Sequence, residues 1–318
     1  MYKDKSVAVV VPCHNEEKLI GRVIETMPEF VDKIIVVNDK SSDRTAEVVR
    51  EYEKKLPGQV VLIDLEENQG VGGAISEGYK WARDHKYDCT AVMAGDAQMD
   101  PADLPNLLDP VVEDRADYAK GNRLYRGDAW NMIPKVRYLG NSALSMMTKV
   151  VSGYWHVADS QTGYTVANLR VLQHLNLDRI YKRYGMPNDM LVRLNVYNFR
   201  VIDIPIKPIY NIGEQSGIKI RKVIFSIPWL LFRLFIHRMF QKYVVRDFHP
   251  LVLFYFFGFI TFTWGMLYSL NLLWLSLRGT AFTAGSSTFA ALLLLSGLQF
   301  LLFAMLFDME ANKDLKGK

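Results

Sequence analysis

From Leu251 to Leu277, and again from Gly279 to Phe307, the chain carries no charged residue. Each run exceeds the roughly 20 residues that take a helix across a bilayer core, and in lipid the backbone must bond to itself, which leaves the helix as its form. The pattern predicts two transmembrane helices, about 251–277 and 281–307, joined by a turn around Arg278 and Gly279. A hairpin returns both ends to one side. Lys313, Lys316 and Lys318, in a tail over 309–318, are therefore expected in the cytoplasm with the rest of the chain. Asn271 and Gln299 inside the runs are candidates to bond between helices or chains, and a two-span protein often gains from pairing its hairpins, so a homo-oligomer is one expectation.

Just before the hairpin, residues 219–248 interleave Phe225, Trp229, Leu230, Phe232, Phe235, Ile236 and Phe240 with Arg221, Lys222, Arg233, His237, Arg238, Lys242 and Arg246. Arg233, His237 and the Gln241/Lys242 pair recur about every four residues and gather towards one helical side. Amphipathic helices of this kind lie in a membrane interface, basic side towards anionic lipid or an anionic acceptor.

Residues 1–218 follow another rhythm. Val7-Ala8-Val9-Val10-Val11-Pro12 is a run suited to a strand buried on both faces. Leu19, Ile20, Val23, Ile24 and Met27 form a helical pattern that stops near Pro28, and Lys33 to Asp39 reads as a second strand. Ser41 or Ser42 is placed to cap the next helix, to Lys55, with Asp43 in its first turn. Val60 to Leu65 is a third strand, Asn68 to Ala74 a glycine-rich turn into a helix ending about His85, and Thr90 to Ala94 a fourth strand. A helix to Asp114 and a short strand from Tyr118 to Gly121 follow. Alternation at roughly 25-residue spacing predicts a doubly wound α/β domain. Beyond Arg123 it breaks into a helix from Pro134 to about Val151, a strand from Thr162 to Asn168, a helix from Pro187 to Tyr197, a strand from Val201 to Ile209 and a loop from Tyr210 to Gly217.

A net charge of +4 gives no reason to expect nucleic acid as a partner. Cys13 and Cys89, both in apolar settings, imply no disulfide framework and suit a reducing compartment. Met1 to Ser6 is short and polar, so no secretory signal is expected ahead of the first strand.

The chemistry concentrates in Gly95-Asp96-Ala97-Gln98-Met99-Asp100-Pro101. A strand end bearing Asp, an amide oxygen and a second Asp, spaced by two, gathers hard oxygen donors where an open sheet binds its ligand. The guest this favours is a divalent cation holding a diphosphate; the competing reading is a turn in which Asp and Pro serve only to cap a helix. Glycines 70, 72 and 73 allow close backbone approach and read as a tight turn more than as a phosphate cradle.

Pro12-x-His14-Asn15-Glu16, Val37-Asn38-Asp39, Asn68-x-Gly70 and Gly95-Asp96-x-Gln98-x-Asp100-Pro101, in that order, resemble the inverting family-two glycosyltransferases of GT-A fold. With Asp159-Ser160-Gln161-Thr162-Gly163-Tyr164, the basic belt and the hairpin, the chain is similar to the polyprenyl-phosphate glycosyltransferases, which include dolichol-phosphate mannose and glucose synthases. The resemblance implies transfer of one hexose from a UDP- or GDP-sugar to a polyprenyl phosphate at the cytoplasmic face. Pro12, His14, Asn15, Glu16, Val37, Asp39, Asn68, Ala94, Gly95 and Asp96 would then hold the nucleotide sugar, and Asp96 with Gln98 would hold Mg²⁺ or Mn²⁺. Arg123 and Arg137, joined by Asn141 and Ser145 one and two turns after Arg137, would take the lipid phosphate, a task suited to the arginine fork. Asp189 falls where relatives place a late acidic residue; a phosphate monoester hardly needs a base, so its role would be positioning. Gln161, Ser216 and Lys219 would belong to the acceptor loops.

One departure stands out. Relatives usually carry an acid two positions before Asp96, where this chain has Ala94, so metal binding must rest on Asp96, Gln98, the diphosphate and water. Two rivals follow: a processive polysaccharide synthase, whose Gln-x-x-Arg-Trp signature does not occur here, and a non-catalytic membrane scaffold, which Ala94 favours.

Overall fold

Val7–Cys13 forms β1, and every residue in it is buried. Its side chains alternate between two cores: Ala8 and Val10 join Ile35 and Val37 on one face, while Val7, Val9 and Val11 join Ile34 and Val36 on the other. A strand covered on both sides has no position for a polar side chain, which explains the unbroken apolar run. The computed structural model describes residues 1–125, 135–207, 209 and 220–318. It contains two units, Met1–Phe235 with Asp314–Lys318, and Ile236–Lys313.

In the first unit β1 is followed by α1 (Ile20–Glu25), β2 (Lys33–Asn38), α2 (Thr45–Lys55), β3 (Val60–Asp64), α3 (Val71–Asp84), β4 (Cys89–Val92), α4 (Leu104–Val112) and β5 (Tyr118–Asn122). Then come α5 (Lys135–Ser152), β6 (Thr165–Asn168), α6 (Leu169–His174), α7 (Met186–Val196) and β7 (Val201–Pro205). The sheet order is β3-β2-β1-β4-β6-β5-β7. β6 runs antiparallel to both β4 and β5, and the remaining pairs are parallel. The alternation therefore breaks after β5 because the chain inserts β6, reversed, between strands already laid down.

Two local expectations are corrected. Neither Ser41 nor Ser42 caps α2, which starts at Thr45 with no side-chain cap; Asn15 takes up both, accepting from the Ser42 amide at 2.7 Å and donating its own amide to Ser41 Oγ at 2.9 Å. Asp43 precedes the helix, where it accepts from the Thr45 and Glu17 amides. Helix α6 had no sequence expectation; the Asn168 side chain caps it by accepting from the Val171 amide at 2.9 Å.

The last five residues also depart from a free tail, since they belong to the first unit, with the sheet. Lys316 bridges Val201, the Gly317 amide donates to the Val201 carbonyl at 2.9 Å, and Arg115 Nη1 donates to the Lys318 carbonyl at 2.8 Å. A Cβ on Gly317 would lie 2.9 Å from those of both Ala116 and Ile202, so this thread fits only as glycine.

Helix α8 (Ile220–Phe240) contributes to both units and continues as a π-helical turn, Gln241–Arg246. The expected basic side is corrected in part. Arg233 and His237 are exposed, but Arg238 and Lys242 are buried, and the exposed neighbours are Trp229, Phe232, Ile236 and Phe240. In the second unit α9 (Leu251–Leu277) and α10 (Ala284–Ala311) are both long and apolar enough to cross a membrane. They meet along small residues: a Cβ on Gly258 would come within 3.1 Å of the Leu301 amide nitrogen, and one on Gly265 within 2.9 Å of that of Leu294. With no hydrophobic drive in lipid, such close backbone approach supplies the packing. Asn271 and Gln299 are exposed, so they do not join the two helices of one hairpin.

Arg238 is wholly buried in this second unit and forms a bidentate pair with Asp308, at 2.8 and 2.9 Å. Tyr243 Oη donates to Asp308 at 2.7 Å, and Lys242 Nζ donates to Asn312 Oδ1 at 2.7 Å. Charges taken from water need partners of this quality.

Candidate active site

The carboxyl ends of β1, β2 and β4 open side by side, the usual place for a ligand in an open α/β sheet. Hydrogen bonds fix their loops together: Asp39 N donates to the Cys13 carbonyl at 2.9 Å and Gly95 N to the Pro12 carbonyl at 3.2 Å. A Cβ on Gly95 would meet Cys13 Cβ at 2.9 Å, so glycine is what lets the acidic loop track β1.

Pro12, His14, Asn15, Asp39 and Asn68 lie together at this end of the sheet. His14 Nδ1 lies 2.8 Å from the Asp39 carbonyl, and Asn68 Nδ2 donates to that carbonyl at 3.2 Å. The Asp39 carboxylate accepts from the amides of Gln69 at 2.6 Å and Gly70 at 2.8 Å, so it braces the turn into α3. Val37 is buried in the core, and its side chain does not line the crevice. The glycine-rich turn is indeed a packing device: Lys182 O accepts from the Gly72 and Gly73 amides at 3.0 and 3.2 Å, and a Cβ on Gly72 would sit 2.2 Å from the Tyr181 carbonyl. The first donors of α3 are thereby satisfied from within the protein.

Asp96 and Gln98 are both half-buried in the loop after β4, where Gln98 N donates to Asp96 Oδ1 at 3.1 Å. Burial, followed by the charges of Asp96 and then Asp43, pushes the Glu16 carboxyl up to about 7. Repulsion between the Glu16 and Asp96 carboxylates is a cost that a hard cation near Asp96 would relieve. Among the described residues no three His, Cys, Asp or Glu side chains converge as a ready-made cage. Asp96 and Gln98 fit a cation that keeps diphosphate and water oxygens, as Mg²⁺ commonly does. Ala94 lines a cavity of about 350 Å³ with Arg22, Met93, Ala97 and Met99. Asp100 caps the helix that follows, accepting from the Ala102 amide at 2.9 Å.

On the other side of β4, Arg123 pairs with buried Asp159, Nε to Oδ2 at 2.8 Å and Nη2 to Oδ1 at 3.2 Å. Asn141 is half-buried on α5 and Ser145 buried, with its Oγ 3.2 Å from that of Ser160 and accepting the Ser160 amide at 3.0 Å. Ser145 is thus an internal anchor, a correction to its expected place on the phosphate. Arg137 lies on α5 with its side chain outside the described residues, as are Ser216 and Lys219 altogether. Asp189 is buried, and its Oδ2 accepts from the Tyr181 amide at 2.8 Å and Arg193 Nε at 2.9 Å, so it anchors the turn whose carbonyls cover α3. Cys13 and Cys89 are free and buried, which pushes both thiols up to about 12 and leaves them inert.

Sequence reasoning missed the charges behind Arg123. Lys120, wholly buried in β5, donates to the Thr162 carbonyl. Asp203 of β7 accepts from Ala158 N at 2.6 Å and Asn122 Nδ2 at 3.0 Å. Burial pushes Lys120 down to about 8 and Asp203 up to about 6. Nothing in the local pattern of β7, Val-Ile-Asp-Ile-Pro, marks that aspartate as an inward charge. Because the folded carboxyl titrates above its unfolded value of 3.8, its contribution is complete below that value and is lost as pH rises through about 6. Asp203→Asn should remove that dependence. The parent should lose on the order of 1–3 kcal/mol relative to the variant between pH 4 and 7, read as the difference between their unfolding midpoints across that range.

The description "Glycosyl transferase family 2" matches residues 8–175, just over half of the chain. A Methanococcus voltae protein named UDP-N-acetylglucosamine--dolichyl-phosphate N-acetylglucosaminyltransferase is 30% identical over 65% of this chain and 87% of its own length. The undecaprenyl-phosphate mannosyltransferase of Micrococcus luteus is 29% identical over 63% of this chain and 82% of its own. Glucosyl-3-phosphoglycerate synthase from Mycobacterium tuberculosis, solved with Mn²⁺, UDP and its glucosylated product, superposes with a TM-score of 0.52 at 18% identity, covering 74% of this chain and 80% of that one. That likeness gives the fold as GT-A. With the acidic loop at the end of β4 and the matched span running from β1 through α6, the chain belongs to glycosyltransferase family 2.

Proposed function

We propose that this protein transfers one hexose from a nucleoside diphosphate sugar to a polyprenyl phosphate held in the membrane. The observation that carries the reading is the joining, in one chain, of an Asp96–Gln98 loop at the sheet crevice to two helices of 27 and 28 residues that are apolar enough to cross a membrane. The names of the Methanococcus and Micrococcus relatives support the acceptor class. The nucleotide rests in the crevice formed by Pro12, His14, Asn15, Asp39 and Asn68, on the side of β1 away from Arg123. An oxygen of the lipid phosphate, already ionised near neutral pH, attacks the anomeric carbon in line and inverts it as the diphosphate leaves. Asp96 and Gln98 would hold Mg²⁺ or Mn²⁺, which would supply positive charge against the departing diphosphate. Arg123 and Arg137 orient the acceptor phosphate through their forked donors. The exposed aromatic face of α8, with Arg233 and His237, lies in the interface, the catalytic unit and both termini face the cytoplasm, and the acceptor's hydrocarbon stays in the bilayer while its phosphate reaches the crevice.

Membranes containing the protein, incubated with labelled UDP- and GDP-sugars and a polyprenyl phosphate, should yield a single lipid-linked sugar with one donor, and EDTA should abolish it. No labelled lipid with any donor counts against the transfer, a ladder of products favours a processive synthase, and yield indifferent to EDTA counts against the cation.

A further inference from the structure

We propose that Asp159 is the positioning residue of the acceptor site: it grips the Arg123 guanidinium along its Nε edge and so sets where that fork meets a phosphate monoester. The inference rests on the reading of Arg123 as a ligand of the acceptor phosphate. Asp159 is fully buried, whereas the Arg123 side chain keeps 21% of its surface exposed, so the pair runs from the core towards the surface. The carboxylate engages Arg123 three times, at Nε (2.8 Å), Nη2 (3.2 Å) and the backbone amide (3.2 Å), and Oδ1 also accepts from Gln161 N at 3.1 Å. A guanidinium carries five N–H donors in a rigid plane, so fixing one edge fixes the direction of all of them.

The carboxylate is itself immobile, which makes it the fixed member of the pair. The turn that carries it is tied to α5 through Ser160 N to Ser145 Oγ at 3.0 Å. It is tied to α7 through Gln161 Nε2 to Asn188 Oδ1 at 2.9 Å, and Thr148 Oγ1 of α5 donates to that same oxygen at 2.9 Å. The bracket thus spans two helices, and its product is a held arginine. Gln161, expected to touch the acceptor, acts here as a strut. Burial would raise the Asp159 carboxyl, yet Arg123 and then Lys120 hold it below the usual carboxylate range, so the grip is ionic at neutral pH.

The test compares the parent with Asp159→Asn, Arg123→Lys and the double variant, using purified full-length protein, a UDP- or GDP-sugar accepted by the parent, and a short-chain polyprenyl phosphate in detergent. Loss of a charge-assisted grip should raise the acceptor KM on the order of ten- to a hundredfold, leave the donor KM where it was, and make the double variant no worse than its weaker parent. Titration of the same lipid phosphate into the protein without donor should show the same loss of affinity. If Asp159→Asn does not fold, Asp159→Glu keeps the charge while moving the fork, and should show the same split between acceptor and donor. Equal effects on both KM values, losses that multiply in the double variant, or two unfoldable substitutions would make Asp159 merely structural and overturn the proposal. A parent that binds and glycosylates no polyprenyl phosphate would instead sink the underlying reading of the acceptor, and the inference with it.

Discussion

Asp96→Asn is expected to reduce sugar transfer by about two to three orders of magnitude, the usual consequence of removing one electrostatic element aimed at developing charge. The asparagine keeps an oxygen to accept the Gln98 amide, so the turn after β4 survives and the loss reports charge alone. Asp96→Ala removes the turn contact as well and should be at least as inactive. Both variants should unfold within a few degrees of the parent, because the residue is half-buried and its charge, after burial, helps to raise the Glu16 carboxyl, a repulsion that the substitution relieves. Transfer of labelled sugar to lipid, measured alongside thermal unfolding, separates the two effects. Undiminished turnover in Asp96→Asn would remove the acidic loop from the chemistry and revive the scaffold reading that Ala94 suggests.

The second large effect concerns stability. Asp308→Ala should cost about 3–5 kcal/mol, because it strands the wholly buried Arg238 without its bidentate partner. Tyr243 and Asn312 both bond to the same carboxylate, at 2.7 and 3.0 Å, so their geometry is lost with it. Replacing both charges with leucine should restore most of that loss, since a buried ion pair against a packed apolar pair comes close to break-even. Thermal unfolding in detergent of the parent, the single variant and the paired Arg238→Leu/Asp308→Leu variant decides the matter. A single variant as stable as the parent would show that the cluster holds nothing in place.

The fold was legible wherever one physical cause dominated. The run from Val7 to Val11 could only be a strand covered on both faces, and the uncharged stretches before and after Arg278 could only be long helices. Misreadings arose where two causes competed for the same residue. Ser41 and Ser42 looked like helix caps, but Asn15, distant in sequence, offered them better partners. Lys242 joins the basic side with Arg233 and His237 because their period is helical, and nothing local reveals that Asn312 meets it, or that Asp308 meets its neighbour Arg238, some seventy residues later. The site shows the same division. His14, Asp39, Asn68 and Asp96 sit at strand ends that topology alone brings together. Asp189, placed by likeness to relatives, and Ser145, placed by its spacing from Arg137, both anchor neighbouring backbone, because a side chain's direction depends on neighbours that neither likeness nor spacing reveals.

The thread from Lys316 to Lys318 beside Val201 bears on how the protein can be handled. The polypeptide leaves the sheet unit after Phe235 and has rejoined it by Asp314. A reporter fused after Lys318 consequently sits on the enzyme's own sheet edge and competes with Arg115 for room. An insertion in the bend near Gly279, where an added Cβ would meet nothing within 4 Å, would leave that seam undisturbed.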